Sequence, residues 1–252
     1  MDRKQVVVAG VCATVAEYEH CKASLQPQVE QKLKGRKVFY WSDERLAIAI
    51  VHAGPGKVQC ASATQLVIDE FAPCLIVDIG AAGSLIETNE IGCVICGQYC
   101  YEYDICSLEQ FPLMAQDLTT ATLVIKASAG QRAILSEFSH YIGNAGVVPG
   151  MRMGNIVSGE QNVTDTVVRE RLREAFHAVA CDWETAAVLK TATLNGVDSL
   201  SFRVITDKAD AKMLDDYALN RDRALGKLGG LLKTFLCDGW VCKLLAVQEQ
   251  MS

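Results

Sequence analysis

The chain has 252 residues, half of them hydrophobic and 21% charged, with 19 Gly against 5 Pro, a composition that excludes intrinsic disorder and collagen-like or proline-rich architectures. Lys and Arg total 24 against 30 Asp and Glu, a formal charge of −6, so neither nucleic acid nor an anionic membrane is an expected partner and a small neutral or weakly anionic ligand fits better. The longest apolar runs, such as LAIAIVHAG and CLIVDIGAAG, fall short of the roughly 20 residues that span a bilayer, and the 11 Cys read as reduced cytoplasmic thiols in a chain long enough to build a core without disulfides.

The opening MDRKQVVVAGV reads as a strand and not a targeting signal, because Thr14, Glu17, Tyr18 and Glu19 follow it quickly. β-Branched runs at residues 5–11, 46–53, 74–80, 91–97, 154–158 and 199–206 predict strands that alternate with helical patterns, which implies an α/β fold on a largely parallel or mixed sheet. Residues 57–71 place Cys60, Ala63, Val67 and Phe71 on one face at helical spacing, and Ala72-Pro73 ends that helix. Further helices are predicted over 164–178 and 184–194, and a long terminal one over 215–236 despite Gly226, Gly229 and Gly230. Residues 108–148 mix helical and loop signals. With no linker and no repeat, residues 1–252 read as a single domain.

Small ligands of such sheets bind where strands end. Gly80-Ala81-Ala82-Gly83-Ser84 follows the strand ending CLIVDI, and its small side chains let a ligand approach the backbone amides. Glu160 after GNIVSG, Glu184 after ACDW and Asp207 after SFRVIT place three carboxylates at strand exits. Gly54-Pro55-Gly56-Lys57 lacks the glycines of a dinucleotide loop, and Val58 stands where a phosphate loop needs Ser or Thr, so this segment reads as a tight turn into a helix with Lys57 solvated. Cys93, Cys96, Cys100 and Cys106 are close in sequence, but CVIC sits within a strand, where positions three apart face opposite ways. Buried thiols and no metal site are therefore expected. His20, His52, His140 and His177 show no ligand spacing and receive no role. Trp183 is either core or the edge of a pocket.

The ordered set GPGKVQCASAT, VDIGAAGSL, GNIVSGEQNV, ACDWETAAV and RVITDKAD resembles the nucleoside phosphorylase and nucleosidase superfamily, most of all the methylthioadenosine/S-adenosylhomocysteine nucleosidases. The likeness spans about residues 5–236. It implies a three-layer α/β/α domain around a central twisted mixed sheet, a homodimer or higher homo-oligomer, a purine nucleoside as small-molecule substrate and no cofactor. It makes Asp207 the acid that assists the departing purine at N7, which demands a carboxyl that still holds its proton near neutral pH. It makes Glu184 the acceptor of the ribose hydroxyls, with Trp183, Ala81, Ala82, Gly83, Asn162 and Val163 around the substrate. Glu17 is the nearest candidate for the glutamate that orients water; its offset from Gly10 is two residues longer than the pattern and leaves Val15 at the direct position, so the assignment depends on a local shift, and the alternative for Glu17 is a solvated residue on an amphipathic helix. Asn162 stands where the family often has an aromatic residue that stacks on the purine, and a carboxamide there would favour a modified or oxygenated base.

A phosphorylase must hold a phosphate dianion with Arg and backbone donors. No Arg adjoins Ala81, and neither Arg203 nor Arg152 can be assigned to phosphate from spacing, so hydrolysis is the expected chemistry. The alternatives are a phosphate-dependent purine nucleoside phosphorylase, a futalosine-type hydrolase and a nucleoside-binding protein without activity. Retention of both Asp207 and Glu184 argues against the last.

Overall fold

A computed structural model describes residues 7–105, 123–124 and 129–249. In chain order its first elements are β1 (Val8–Cys12), α1 (Val15–Leu25), β2 (Val29–Leu33), β3 (Arg36–Ser42), β4 (Ala47–His52), α2 (Lys57–Phe71), β5 (Leu75–Ser84) and β6 (Val94–Glu102). There follow β7 (Leu123–Val124), α3 (Ala129–Asn144), β8 (Met151–Ser158), α4 (Thr166–Phe176), β9 (Ala178–Asp182), α5 (Thr185–Leu194), β10 (Asp198–Asp207), α6 (Met213–Cys237) and α7 (Trp240–Glu249).

Period-two alternation gives the sheet two apolar faces. Val8, Ile48, Ile50, Leu75, Val77 and Ile79 join one buried cluster with residues of α1, α3, α6 and α7. Ala9, Val11, Ala49, Val51 and Ile76 join another with residues of α2 and α5. The result is the expected three-layer α/β/α arrangement. β1 pairs in parallel with β4 and β5, β5 in parallel with β10, and β10 antiparallel with β6. β6, β8 and β9 follow in parallel, and β9 returns antiparallel to the end of β5 at Gly83 and Ser84. Strands β5, β10, β6, β8 and β9 thus close a ring, and β1, β4, β3 and β2 extend from it as an open sheet.

The predicted helix over 57–71 is found with those bounds, ended by Ala72 in the left-handed region. The helix predicted over 164–178 is shorter at both ends, because Asp165 caps its start and His177, at φ 48°, stops it before β9. The long terminal helix tolerates Gly229 for a packing reason: a β-carbon there would collide with Ser24 of α1. The β2–β3 hairpin was not foreseen. Its two-residue turn, Lys34-Gly35, has positive φ at both positions (44° and 87°), as a type I′ turn requires, with lysine where Asn or Asp is the usual signal. Residues 5 and 6 of the first predicted strand and Cys106 lie outside the described residues.

Candidate active site

A cavity of about 290 Å³ opens at the carboxyl ends of β1, β5, β9 and β10. Ala81, Ala82 and Gly83 form part of its lining, with Asn162, Val163 and Trp183 on its walls, and Glu17, Glu184 and Asp207 all reach it. Tyr217, Met213 and Leu214 from α6 and Pro55 from the turn before α2 also line it; none of these four was foreseen as a lining residue.

Asp207 ends β10 and is 4% exposed. Its Oδ1 accepts from the Ala209 N–H at 3.0 Å and its Oδ2 from the Thr206 hydroxyl at 2.9 Å. A β-carbon on Gly83 would lie 2.7 Å from Oδ1, so glycine is what admits the carboxyl. Burial raises the Asp207 pKa against these two hydrogen bonds, and Asp216 and Asp210 push the same way as burial.

Glu184 occupies the N-cap position of α5, yet its side chain makes no capping bond. It reaches away instead, with Oε1 accepting from the Gly56 N–H at 3.0 Å and Oε2 3.6 Å from Arg203 Nη1. Burial pushes its pKa to about 8, helped by Asp182 and Glu17 and opposed by Arg203 and the Gly56 amide.

The two-residue offset before Glu17 is absorbed by where α1 begins. Thr14 caps the helix, which leaves Val15 57% exposed and turns Glu17, three residues past the cap, inward to 4% exposure. Glu17 Oε2 accepts from the Thr14 N–H at 2.8 Å, the reciprocal half of a capping box. Oε1 is left to accept from the Ala81 N–H at 2.9 Å. Burial raises this pKa too, against Arg203 and the amides of Ala81 and Thr14.

Beneath these groups lies a charge network that the sequence did not disclose. Arg203, 1% exposed, forks onto Asp78 with Nη2 at 2.7 Å from Oδ1 and Nε at 2.9 Å from Oδ2. Its Nε also lies 3.0 Å from Asp182 Oδ2. Thr185 and Ser201 donate to Asp78 at 2.8 Å each, and Ser158 donates to Asp182 at 2.5 Å. Burial alone would lower the Arg203 pKa, but Asp182, Asp78, Glu184 and Glu17 together raise it. Asp182 is raised by burial. A side chain on Gly80 would strike Arg203 and come within 2.6 Å of Glu17 Oε1, so the glycine of VDIGAAG is what lets the arginine pass beside the cavity.

The family model described as the phosphorylase superfamily matches residues 7–236. This chain belongs to that superfamily. Among curated relatives, the 5′-methylthioadenosine/S-adenosylhomocysteine nucleosidase of Shewanella piezotolerans is 27% identical over 223 residues, which cover 84% of this chain and 89% of that protein. The nucleosidase of the same name from Baumannia cicadellinicola is 27% identical over 165 residues, 65% of this chain and 69% of that protein. Among solved structures, the Helicobacter pylori 5′-methylthioadenosine/S-adenosylhomocysteine nucleosidase superposes with a TM-score of 0.79 at 20% identity, covering 94% of this chain and 100% of that one. The futalosine hydrolase of Helicobacter pylori superposes with a TM-score of 0.80 at 21% identity, covering 93% and 98%. These structures share the fold of this phosphorylase-superfamily member.

Two sequence expectations are corrected. Glu160 does not join Glu184 and Asp207 at the cavity; it is exposed and accepts from the Lys57 N–H at 2.6 Å. Lys57 is not simply solvated, since its Nζ lies 2.6 Å from Asp104 Oδ1 and 3.3 Å from Glu102 Oε1. Arg152, the other arginine weighed for phosphate, donates to Asn89 at 3.0 Å. Cys93, Cys96 and Cys100 are buried among apolar neighbours.

Proposed function

We propose that this protein hydrolyses the N-glycosidic bond of a purine nucleoside of the methylthioadenosine/S-adenosylhomocysteine type. Breaking the C1′–N9 bond sends electrons into the purine and leaves positive charge on the sugar, so a proton is needed at one end and negative charge at the other. Asp207 gives the purine its proton at N7. Glu184 accepts from the two ribose hydroxyls and, with Glu17, faces the developing charge. Glu17 orients the water and takes its proton as oxygen bonds to C1′. The observation that carries this reading is the meeting of three buried carboxyls at one cavity, each with its pKa raised by burial.

Water is favoured over phosphate by the use already made of the available donors. The Ala81 amide, which an anion above the lining would seek, is held by Glu17. Arg203 is engaged by Asp78, Asp182 and Glu184, and no lysine or arginine is among the described lining residues. Base release measured with and without phosphate tests the point: an equal rate, with the unphosphorylated 5-substituted ribose as product, is expected, and an absolute phosphate requirement with a sugar 1-phosphate product would overturn it.

Asn162, exposed on the wall, supports a second reading in which the base is modified or oxygenated, as for a futalosine-type hydrolase. A nucleoside panel separates the two, because strict adenine preference would count against a role for the carboxamide in base choice. We further infer a cytoplasmic protein that acts as one domain in a homodimer or higher homo-oligomer, in keeping with the family resemblance; no helix among the described residues is long and apolar enough to cross a membrane.

A further inference from the structure

Lys57, the residue that the phosphate-loop reading could not use, closes a ring of contacts behind the cavity wall. Its Nζ ion-pairs with Asp104 Oδ1 at 2.6 Å. The other oxygen of Asp104 accepts from the Glu160 N–H at 3.0 Å. Glu160 then turns its carboxylate back onto the backbone N–H of Lys57 at 2.6 Å. Glu102, 7% exposed, braces the ring through Lys57 Nζ at 3.3 Å and through Lys190 Nζ on α5 at 2.7 Å. The ring ties together the end of β6, the loop after β8 and the first residue of α2.

Two features of the site depend on those segments. One is Gly56, whose N–H, one peptide before Lys57, holds Glu184 Oε1. Gly56 has φ 94°, and a β-carbon on it would lie 2.7 Å from Glu160 Oε1, so the turn fits against the ring only as glycine. The other is the stretch Gln161, Asn162 and Val163, which follows Glu160 directly and lines the cavity. Lys57 itself is not among the lining residues.

We propose that Lys57 is a positioning residue: clasped to Asp104 and, through its own amide, to Glu160, it holds the Gly56 N–H against Glu184 and so sets the carboxylate that grips the ribose diol. This rests on the diol-binding reading of Glu184. A hydrogen-bonded carboxylate placed from one side by a backbone amide is as well aimed as that amide, and a misplacement of about 1 Å can cost about 100-fold in rate.

The test compares kcat/KM for a ribonucleoside and for its 2′,3′-dideoxy analogue in four proteins: wild type, Lys57→Met, Lys57→Arg and Lys57→Met combined with Glu184→Gln. Lys57→Met is expected to lose about 10-fold on the ribonucleoside and less than about 2-fold on the dideoxy analogue. Lys57→Arg should recover most of the loss, and Lys57→Met should add nothing once Glu184 is Gln. An equal loss on both substrates, or full additivity with Glu184→Gln, would overturn the proposal while leaving the diol reading intact. If wild type itself fails to distinguish the two substrates, the diol reading falls and this one with it. Should Lys57→Met fail to fold, Glu160→Gln, which weakens only the acceptor on the Lys57 amide, carries the same pattern of outcomes.

Discussion

Glu184→Gln replaces a buried carboxyl by a neutral group of the same shape, and its effect on stability can be worked from the structure. Burial moves the Glu184 pKa from an ordinary 4.5 to about 8. The folded chain therefore holds that proton between three and four orders of magnitude more tightly than the unfolded chain, at about 1.4 kcal/mol per order, which sets a ceiling of roughly 5 kcal/mol. Titration shared with the neighbouring acids leaves about 2 kcal/mol as the working figure. The sign follows from the direction. A carboxyl whose folded pKa lies above its unfolded value favours the fold below about pH 4.5, and that contribution is lost as pH rises to about 8. The amide cannot ionise and keeps it. Like the protonated acid, it offers one free acceptor to the two donors, Gly56 N–H and Arg203 Nη1, so the variant and wild type should nearly match at pH 5. At pH 9 the variant should be more stable by about 2 kcal/mol, a Tm difference of about 4–8 °C for a chain of this size. Chemical denaturation at pH 5, 7 and 9 reads the difference. Parallel stability curves, or a gap that widens toward acid, would refute the reasoning.

Three further outcomes are expected. Asp207→Asn, which cannot supply a proton, should lower kcat for a purine nucleoside by about 10²–10⁴ while sparing a riboside whose leaving group needs no proton, such as 4-nitrophenol; equal losses on both would remove Asp207 from the acid role. Glu17→Gln should slow single-turnover hydrolysis by about 10² and leave the affinity for free purine within about 2-fold, and a weakened purine affinity would mark Glu17 as a binding residue instead. Gly80→Ala forces a β-carbon onto Arg203 and Glu17 and should destabilise the protein by about 1–3 kcal/mol in urea titration; a neutral result would mean that the arginine has room to move.

The contrast between α2 and the β2–β3 hairpin shows what the sequence reveals of the fold. α2 is legible to the residue because an apolar stripe, a glycine turn before it and Ala72-Pro73 after it all agree. The hairpin lies near one edge of the sheet, VEQKL is mostly exposed, and its turn residues are Lys-Gly, so neither apolar alternation nor turn chemistry announces it. The site divides the same way. Asp207 and Glu184 stand in local motifs whose order is diagnostic. Glu17 could be placed only once Thr14 was seen to start the helix, since Val15 and Glu17, two residues apart, lie on opposite helix faces and only one of them turns inward. Arg203 and Asp78 are 125 residues apart in the chain; each is an isolated charge in a hydrophobic run until parallel pairing sets β10 beside β5.

The position of that arginine sorts the acids into two kinds. Asp78, Asp182, Glu184 and Glu17 gather around one guanidinium, and four carboxylates cannot all be charged against a single cation in a buried setting without a large electrostatic penalty. Burial raises the pKa of Asp182, Glu184 and Glu17, and Arg203 pulls each back toward its charged form. On the proposed reading a further donor is the substrate. Two ribose hydroxyls pointing at Glu184 stabilise its charged form, as Arg203 already does from the other side, so binding itself ionises the residue that the oxocarbenium-like sugar needs as an anion. Asp207 stands apart from this circle. The groups that lower its pKa are one backbone amide and one hydroxyl, and burial raises it; on the proposed reading, that holds the proton for purine N7. On that reading, one arginine that acts on Glu184 and Glu17 and is not among the groups that lower the Asp207 pKa is what makes similar carboxyls serve as an anion and an acid.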